Sequence, residues 1–243
     1  MDADTGWDKG LPITASNVFA ENPLVLSTPR GKGFLLWEEQ SGENRQLLAT
    51  PVPIRLIPIG ARFPVYKAAT ERYFLPAGAP CGTNGFFVSW INESGKLLLS
   101  LIASNQSVWP PASATLRTPG RVLETSLGWD KSASRLYLAT VEEVSNAIRL
   151  YLYPGPVEAP ILLADSTKED FHPLFPSVLA ESNRVFVAYQ LRPNPDAGLQ
   201  KKDGVELVVF DAERRAVLIR KRISDKDTAV SFPQIALWQE RFF

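Results

Sequence analysis

Short apolar runs that close on an aromatic residue recur along the chain about every fifty residues. Three of them are residues 34–37, 86–90 and 185–189, which end at Trp37, Trp90 and Tyr189. The first two aromatics are 53 residues apart and the last two are 99 apart, which is two further intervals. The intermediate run is 136–140, where a threonine replaces the closing aromatic. A period in this range predicts stacked copies of one supersecondary unit.

A proline precedes most of these runs. Pro23, Pro80 and Pro176 lie 14, 10 and 13 residues before the closing aromatic of their units. A further proline-led segment begins at 232–237, and a spacing of 13 from its proline places the next closing aromatic at position 246. Because that position is beyond Phe243, we expect the chain to stop inside a strand.

Each aromatic-closed run is followed by a polar turn and a second apolar run. Turn residues between two strand-like runs predict hairpins, as at 92–95 and 142–146. Most units then contain a fourth apolar run, at 54–59, 161–163 and 216–219. Residues 185–189 are apolar at every position, so both faces of this strand must be covered. Four antiparallel strands per fifty residues, buried on both faces, are typical of a β-propeller blade.

The sequence therefore predicts an all-β protein, a β-propeller of four-stranded antiparallel blades. We expect about four complete blades and the start of a fifth in a single, truncated domain over 1–243. The predicted blades are 20–60, 73–118, 120–164, 173–224 and, in part, 229–243. The competing fold is a β-sandwich, which does not require regular repeats.

Composition excludes several classes of function. The 26 basic and 26 acidic residues balance, so there is no electrostatic footprint for nucleic acid. No run reaches the roughly 18 consecutive apolar residues of a membrane helix, and we expect no membrane insertion. Cys81 is the only cysteine, which rules out an internal disulfide and a multi-cysteine zinc site. No cofactor is implied.

The proline-led and aromatic-closed strands together resemble the degenerate repeats of bacterial β-propellers of the sialidase-like group. Asp boxes, which sialidases carry on blade turns, are absent; residues 4–7 differ from one because Trp7 follows Gly6 directly. The arginine triad and tyrosine nucleophile of sialidases cannot be assigned to positions here. Trp-Asp repeat propellers match less well, because Trp129-Asp130 precedes its apolar strand. The resemblance implies a fold and not an activity.

Candidate ligand residues come from loops predicted to open at the channel mouth. In a propeller, the connections between blades and those between second and third strands lie on the same face, and loops on a rigid scaffold carry function. The predicted loops are 60–79, 104–120, 165–173 and the insertion 192–204. They supply the candidate ligand-binding residues Arg62, Tyr66, Trp109, Asp170, His172 and Asp196.

Each candidate has a functional and a structural interpretation. His172, the only histidine, is a candidate acid or base or a packed turn residue. Asp170 beside Glu169 is a candidate carboxylate pair for glycoside chemistry or a solvated loop pair. Trp109 is a candidate platform for stacking a sugar or a residue that packs beneath its loop.

Two functional hypotheses follow. The first is a non-catalytic binding or interaction domain whose ligand, a protein or a glycan, binds at the channel mouth. The second is a glycan-processing hydrolase of sialidase-like or related propeller type. Two carboxylates about 5–9 Å apart at the mouth would favour the hydrolase, and an apolar or mixed lining would favour binding.

Overall fold

The computed structural model describes residues 14, 18–27, 32–53, 62–83, 85–103, 108, 110–194, 202–225, 229–238 and 241–242. These residues contain strands and no helix. The strands form four antiparallel sheets of four strands each and one sheet of two strands. Within every four-stranded sheet the strands are neighbours in chain order, which is the meander expected of a propeller blade.

The four sheets are numbered as blades 1 to 4. Blade 1 contains β1 (Phe19–Ser27), β2 (Lys32–Ser41), β3 (Asn44–Pro53) and β4 (Phe63–Ala69). Blade 2 contains β5 (Ala77–Cys81), β6 (Gly85–Ile91), β7 (Leu97–Ala103) and β8 (Ser113–Thr115). Blade 3 contains β9 (Arg121–Asp130), β10 (Arg135–Val144), β11 (Ala147–Tyr153) and β12 (Ile161–Asp165). Blade 4 contains β13 (Phe171–Glu181), β14 (Arg184–Pro193), β15 (Gly204–Asp211) and β16 (Ala216–Arg222), and the two-stranded sheet pairs β17 (Leu237–Trp238) with β18 (Arg241–Phe242).

The first strand of each blade lies innermost. Strand β1 packs against β5, β5 against β9, and β9 against β13, so these strands surround a common axis. The β17–β18 hairpin repeats the geometry of blade 4: Trp238 and Arg241, which pair, lie 5 and 8 residues after Pro233. The corresponding pair of blade 4 lies at the same two distances after Pro176. The predicted β-propeller of four blades and the start of a fifth is confirmed.

Apolar side chains fill the spaces between consecutive blades, as the doubly apolar strands predict. Val187 and Tyr189 of β14 belong to the core between blades 3 and 4. Phe186 and Ala188, which alternate with them and point to the other face, are also buried. Burial of both faces explains why this run has no polar position.

Two connections differ from the sequence prediction. The fourth strand of blade 1 is β4, whereas the predicted strand 54–59 lies outside the described residues. The predicted loop 60–79 therefore contains a strand, and Tyr66 lies in it. Strand β8 likewise interrupts the predicted loop 104–120, so 104–112 joins the third and fourth strands of blade 2. β7 therefore ends, and β8 begins, at the end of blade 2 opposite to the between-blade connections.

A residue of positive φ followed by proline kinks the start of the inner strand in blades 1, 2 and 4 and in the segment after blade 4. The kinked residues are Asn22 (φ 51°), Leu75 (48°), Phe175 (49°) and Phe232 (54°). For bulky side chains this conformation costs about 1–3 kcal/mol, so it persists where its surroundings impose it. The regular pairing of β1 with β2 and of β13 with β14 is interrupted at these points.

The kinks correct one part of the repeat register. The sequence prediction took Pro80 as the leading proline of blade 2, but the kink is at Leu75-Pro76. Pro76 lies 14 residues before Trp90, the same distance as in blade 1. Trp90 in β6 is therefore in the same register as Trp37 in β2.

Side chains of the preceding blade hold three of the kinks. In each, the backbone N–H of the kinked residue donates a hydrogen bond to a side-chain oxygen. This bond satisfies an N–H group that the kink removes from the hydrogen bonding between strands. The pairs are Leu75 N to Glu38 Oε1 (2.8 Å), Phe175 N to Glu124 Oε2, and Phe232 N to Gln190 Oε1 (3.4 Å). The tethers fix where the inner strands meet the axis.

Candidate functional site at the propeller axis

The kinked segments of the inner strands enclose a pocket of about 330 Å³, called the axial pocket below. Its volume falls at the lower end of the range of roughly 300–1,000 Å³ for small-molecule sites. Most of its lining is apolar, with a few polar groups. The lining residues are Asn22, Pro23, Leu24, Leu75, Pro76, Glu124, Thr125, Phe175, Pro176, Phe232 and Gln234.

Glu124 is the ionisable side chain among these described lining residues. It lies on β9, where the strand bulges between Val122 and Glu124 opposite β10. Burial raises the pKa of its carboxyl above the ordinary value, and the Phe175 N–H and the Arg192 charge offset part of that rise. A carboxyl of this kind remains protonated to higher pH than a solvated one and can donate a proton.

Thr125 adds a second polar group from the same strand. Its Oγ1 is buried and has no hydrogen-bond partner among the described residues. A buried hydroxyl without a partner costs free energy, so it is an uncommon feature of a native interior. Because this hydroxyl is buried, Glu124 is the polar side chain that β9 presents to the axial pocket.

Two aromatic rings form one wall of the axial pocket. The ring centroids of Phe175 and Phe232 are 4.4 Å apart and the rings are tilted by 47°. Phe232 is 63% exposed, so its ring is accessible to a ligand. The Arg192 guanidinium lies 5.8 Å from the Phe175 ring centroid, on the blade 4 side.

A second pocket, of about 470 Å³, lies between blade 4 and residues 230–235. None of its described lining residues is ionisable. They are Phe186, Ala188, Val205, Leu207, Ile223, Ser224, Val230, Pro233, Gln234 and Ile235. Acid–base chemistry is therefore supported at the axial pocket and not here.

Arg62 and Tyr66, predicted from the sequence as ligand residues, lie at the first blade. Arg62 precedes β4 and pairs with Glu39 (Nη1–Oε1 3.1 Å). The Tyr66 ring packs edge-on against Phe74, with centroids 5.3 Å apart, and its hydroxyl donates to Glu93 Oε2 (2.6 Å). Desolvation, together with the Glu93 hydrogen bond, raises the pKa of Tyr66 to about 12. The contacts of Tyr66 with Phe74 and Glu93 join blades 1 and 2, whereas the Arg62–Glu39 pair lies within blade 1.

Asp170 and His172 lie where blade 4 begins. The backbone carbonyl of Asp170 accepts a hydrogen bond from Asn194 N (3.0 Å), and His172 is paired across the strands with Arg192. Neither they nor Arg62 and Tyr66 line the axial pocket. Trp109 and Asp196 lie outside the described residues. A ligand-binding role for these six residues stays a prediction.

Sequence reasoning missed Glu124, because it searched loops and this residue lies within a strand. A usable signal was present: prolines mark the kinks of the other inner strands, and the corresponding part of β9 carries Glu124 instead. In the other blades the kinked residue lies 14 or 15 residues before the closing aromatic, and the same spacing before Thr140 reaches Thr125 or Ser126, one or two residues after Glu124.

The described residues contain no group of three His, Cys, Asp or Glu side chains arranged to hold a metal ion. In the same part of the chain, no helix has the length and hydropathy needed to cross a bilayer.

No protein-family model matches the sequence, and no curated protein matches it. Among solved structures, the fold is similar to a GH43 β-1,3-galactosidase (TM-score 0.52, 10% identity, 90% of this chain and 54% of that one). It is also similar to an exo-β-1,3-galactanase from Phanerochaete chrysosporium (TM-score 0.51, 8% identity, 86% and 55%). A mutant of AofleA from Arthrobotrys oligospora gives a TM-score of 0.50 at 13% identity, over 88% and 60%.

The chain thus spans little more than half the length of these three structures. At such low identity the likeness concerns the fold. It supports a propeller repeat class, while the finer resemblance to the sialidase-like group stays a prediction. The chain is similar in fold to glycoside hydrolases built on a β-propeller.

Proposed function

We propose that this protein is a glycan-processing hydrolase that binds a sugar residue in the axial pocket. The observation that carries the proposal is Glu124, a partly buried carboxyl of raised pKa in a pocket otherwise lined by uncharged side chains. Two of the solved structures with a similar fold are named as a galactosidase and a galactanase, which agrees with this choice of ligand.

Glu124 is assigned the role of general acid. Cleavage of a glycosidic bond needs a proton on the leaving oxygen, and a carboxyl of raised pKa supplies it at a higher pH than a solvated carboxyl. The Phe175–Phe232 pair offers an apolar surface for the C–H face of a sugar ring. Asn22 and Gln234 offer amide groups for its hydroxyls.

A second candidate function is binding of a glycan without cleavage. The observation that favours it is that Glu124 is the single carboxyl among the described lining residues. Most glycosidases use two carboxyl groups, about 5–9 Å apart. Under the hydrolase proposal, the second group comes from outside the described lining or from the substrate itself, as in substrate-assisted glycosidases.

One experiment separates the two functions. The wild-type protein, Glu124→Gln and the exposed-turn control Glu43→Gln are incubated with β-1,3-galactan oligosaccharides and a panel of other neutral oligosaccharides. Binding is followed by saturation-transfer NMR and cleavage by release of reducing ends. The Gln variant keeps an oxygen that accepts from Phe175 N, so its fold should survive.

A hydrolase releases sugar, loses about 10²–10⁴-fold of its rate in Glu124→Gln, and keeps it in Glu43→Gln. A binding domain shows saturation transfer and no release with any of the three proteins. Absence of both binding and release across the panel would overturn the proposal.

A further inference from the structure

The ionisable side chain that lines the axial pocket is acidic, and no basic side chain balances it among the described lining residues. Its described lining contains one carboxyl, that of Glu124, and no lysine, arginine or histidine. The remaining polar side chains that a ligand can reach are the amides of Asn22 and Gln234, since the Thr125 hydroxyl is buried. These groups can satisfy the hydroxyls of a neutral ligand, but none can neutralise an anion.

Two arginines outside the pocket lining have acidic partners of their own. Arg192, whose charge acts on Glu124, has Asp203 Oδ2 at 3.9 Å from its Nε. Arg45 is buried in blade 1, where its Nη1 is 3.3 Å from both Glu21 Oε2 and Glu38 Oε2. Neither guanidinium lines the axial pocket, so neither is placed to receive a ligand carboxylate there.

We infer that the axial pocket selects sugar residues that carry no negative charge and rejects acidic sugars. This inference rests on the proposed binding of a glycan in that pocket. A uronate or sialate carboxylate would lose its hydration in the pocket without gaining a cation, and it would lie near the carboxyl of Glu124. A neutral sugar donates its hydroxyls to Glu124 and places its apolar face on the Phe175–Phe232 pair.

The described lining of the axial pocket differs from a sialidase site. Sialidases use an arginine triad, and the described lining of the axial pocket holds no arginine. Strands whose sequence resembles the sialidase-like repeats therefore surround a pocket that favours neutral over acidic sugars.

The test uses matched pairs of ligands that differ only in the carboxylate. Affinities are measured at pH 7 by saturation-transfer NMR for the methyl glycosides of glucose and glucuronic acid and of galactose and galacturonic acid. The sugar carboxylate loses hydration without gaining a cationic partner whichever protonation state Glu124 adopts. Where Glu124 is ionised, repulsion at about 5 Å and an effective dielectric constant near 20 weakens binding by well over a further tenfold. We expect each neutral sugar to bind at least about tenfold more tightly than its acidic partner.

Three variants identify the cause of the preference. At a pH above the folded pKa of Glu124, where the wild-type carboxyl is charged, Glu124→Gln should reduce the ratio of neutral to acidic affinity. Glu43→Gln should leave the ratio unchanged. Gln234→Lys adds a cation at an exposed lining position and should also reduce the ratio, without altering Glu124 or its tether to Phe175.

The outcomes are distinguishable. An acidic sugar that binds the wild-type protein as tightly as its neutral partner overturns the charge preference but leaves glycan binding in place. Failure of all four glycosides, and of the neutral oligosaccharides, to bind would overturn the proposed function and the charge preference with it. Tighter binding of neutral sugars, with a smaller ratio in both Glu124→Gln and Gln234→Lys, supports both.

Discussion

Replacing Glu38 by alanine should cause one of the largest losses of stability available in this fold. Glu38 is fully buried between blades 1 and 2. Its Oε1 accepts from Leu75 N (2.8 Å) and Asn22 Nδ2 (2.9 Å), and its Oε2 accepts from Phe74 N (2.9 Å). The same Oε2 lies 3.3 Å from Nη1 of Arg45. One carboxylate therefore holds two kinks and a buried cation.

The size of the loss follows from the groups left behind. Removing one partner of a buried ion pair costs about 3–5 kcal/mol, because the other charge stays buried. Arg45 retains Glu21, which reduces that cost, but two buried N–H groups lose their acceptor at about 1–3 kcal/mol each. These contributions are not additive, since the blades relax, and we expect Glu38→Ala to lower the free energy of unfolding by about 4 kcal/mol.

Urea denaturation followed by tryptophan fluorescence measures this free energy. At about 2–4 °C per kcal/mol for a chain of this size, the melting temperature should fall by about 8–16 °C. The control is Glu43→Ala in the exposed β2–β3 turn, which should change stability by less than about 0.5 kcal/mol. If the free energy of unfolding of Glu38→Ala lay within about 1 kcal/mol of the wild-type value, the stabilising role of the Glu38 hydrogen bonds would be refuted.

Further predictions concern burial, close contact and titration. Trp90→Ala should cost about 3–5 kcal/mol in urea unfolding because the ring is buried, whereas Val157→Ala, at a side chain that is 94% exposed, should be close to neutral. Gly120→Ala should cost about 1–3 kcal/mol, since a Cβ there would clash with the carbonyl oxygen of Glu143; an unchanged midpoint of unfolding would contradict this contact. The folded-state pKa of Glu124 is raised above 4.5, so the stability that this group contributes is full below that pH and declines as pH rises through the folded pKa. The free energy of unfolding of the wild-type protein, relative to that of Glu124→Gln, should therefore fall as pH rises. A relative free energy that increases with pH would show that the pKa of Glu124 is lowered.

The repeat and the blade could be predicted from the sequence because they depend on local patterns. Apolar residues at every position of 185–189 require cover on both faces, and the structure places Tyr189 and Phe186 in two different interfaces. Strand β4 was missed because Pro64 breaks its pattern and because the more apolar run 54–59 precedes it. An outer strand tolerates proline, since one of its edges forms no ladder.

The site was harder to predict because it is assembled from different blades. Leu75 and Phe175 come to the axis through kinks, and a positive φ at a bulky residue is imposed by its surroundings and not by its own preference. The carboxyl of Glu124 acquires its raised pKa from burial among segments distant in sequence. Patterns of charge and loop length carry no information about that burial.

A crystal structure of this protein soaked with a neutral methyl glycoside tests most directly whether a sugar binds at the axis beside Glu124. We predict electron density for the sugar between the inner strands, with a hydroxyl or the glycosidic oxygen within hydrogen-bond distance of the Glu124 carboxyl and the ring against Phe232. Density for the sugar on another surface, with none in the axial pocket, would contradict the account.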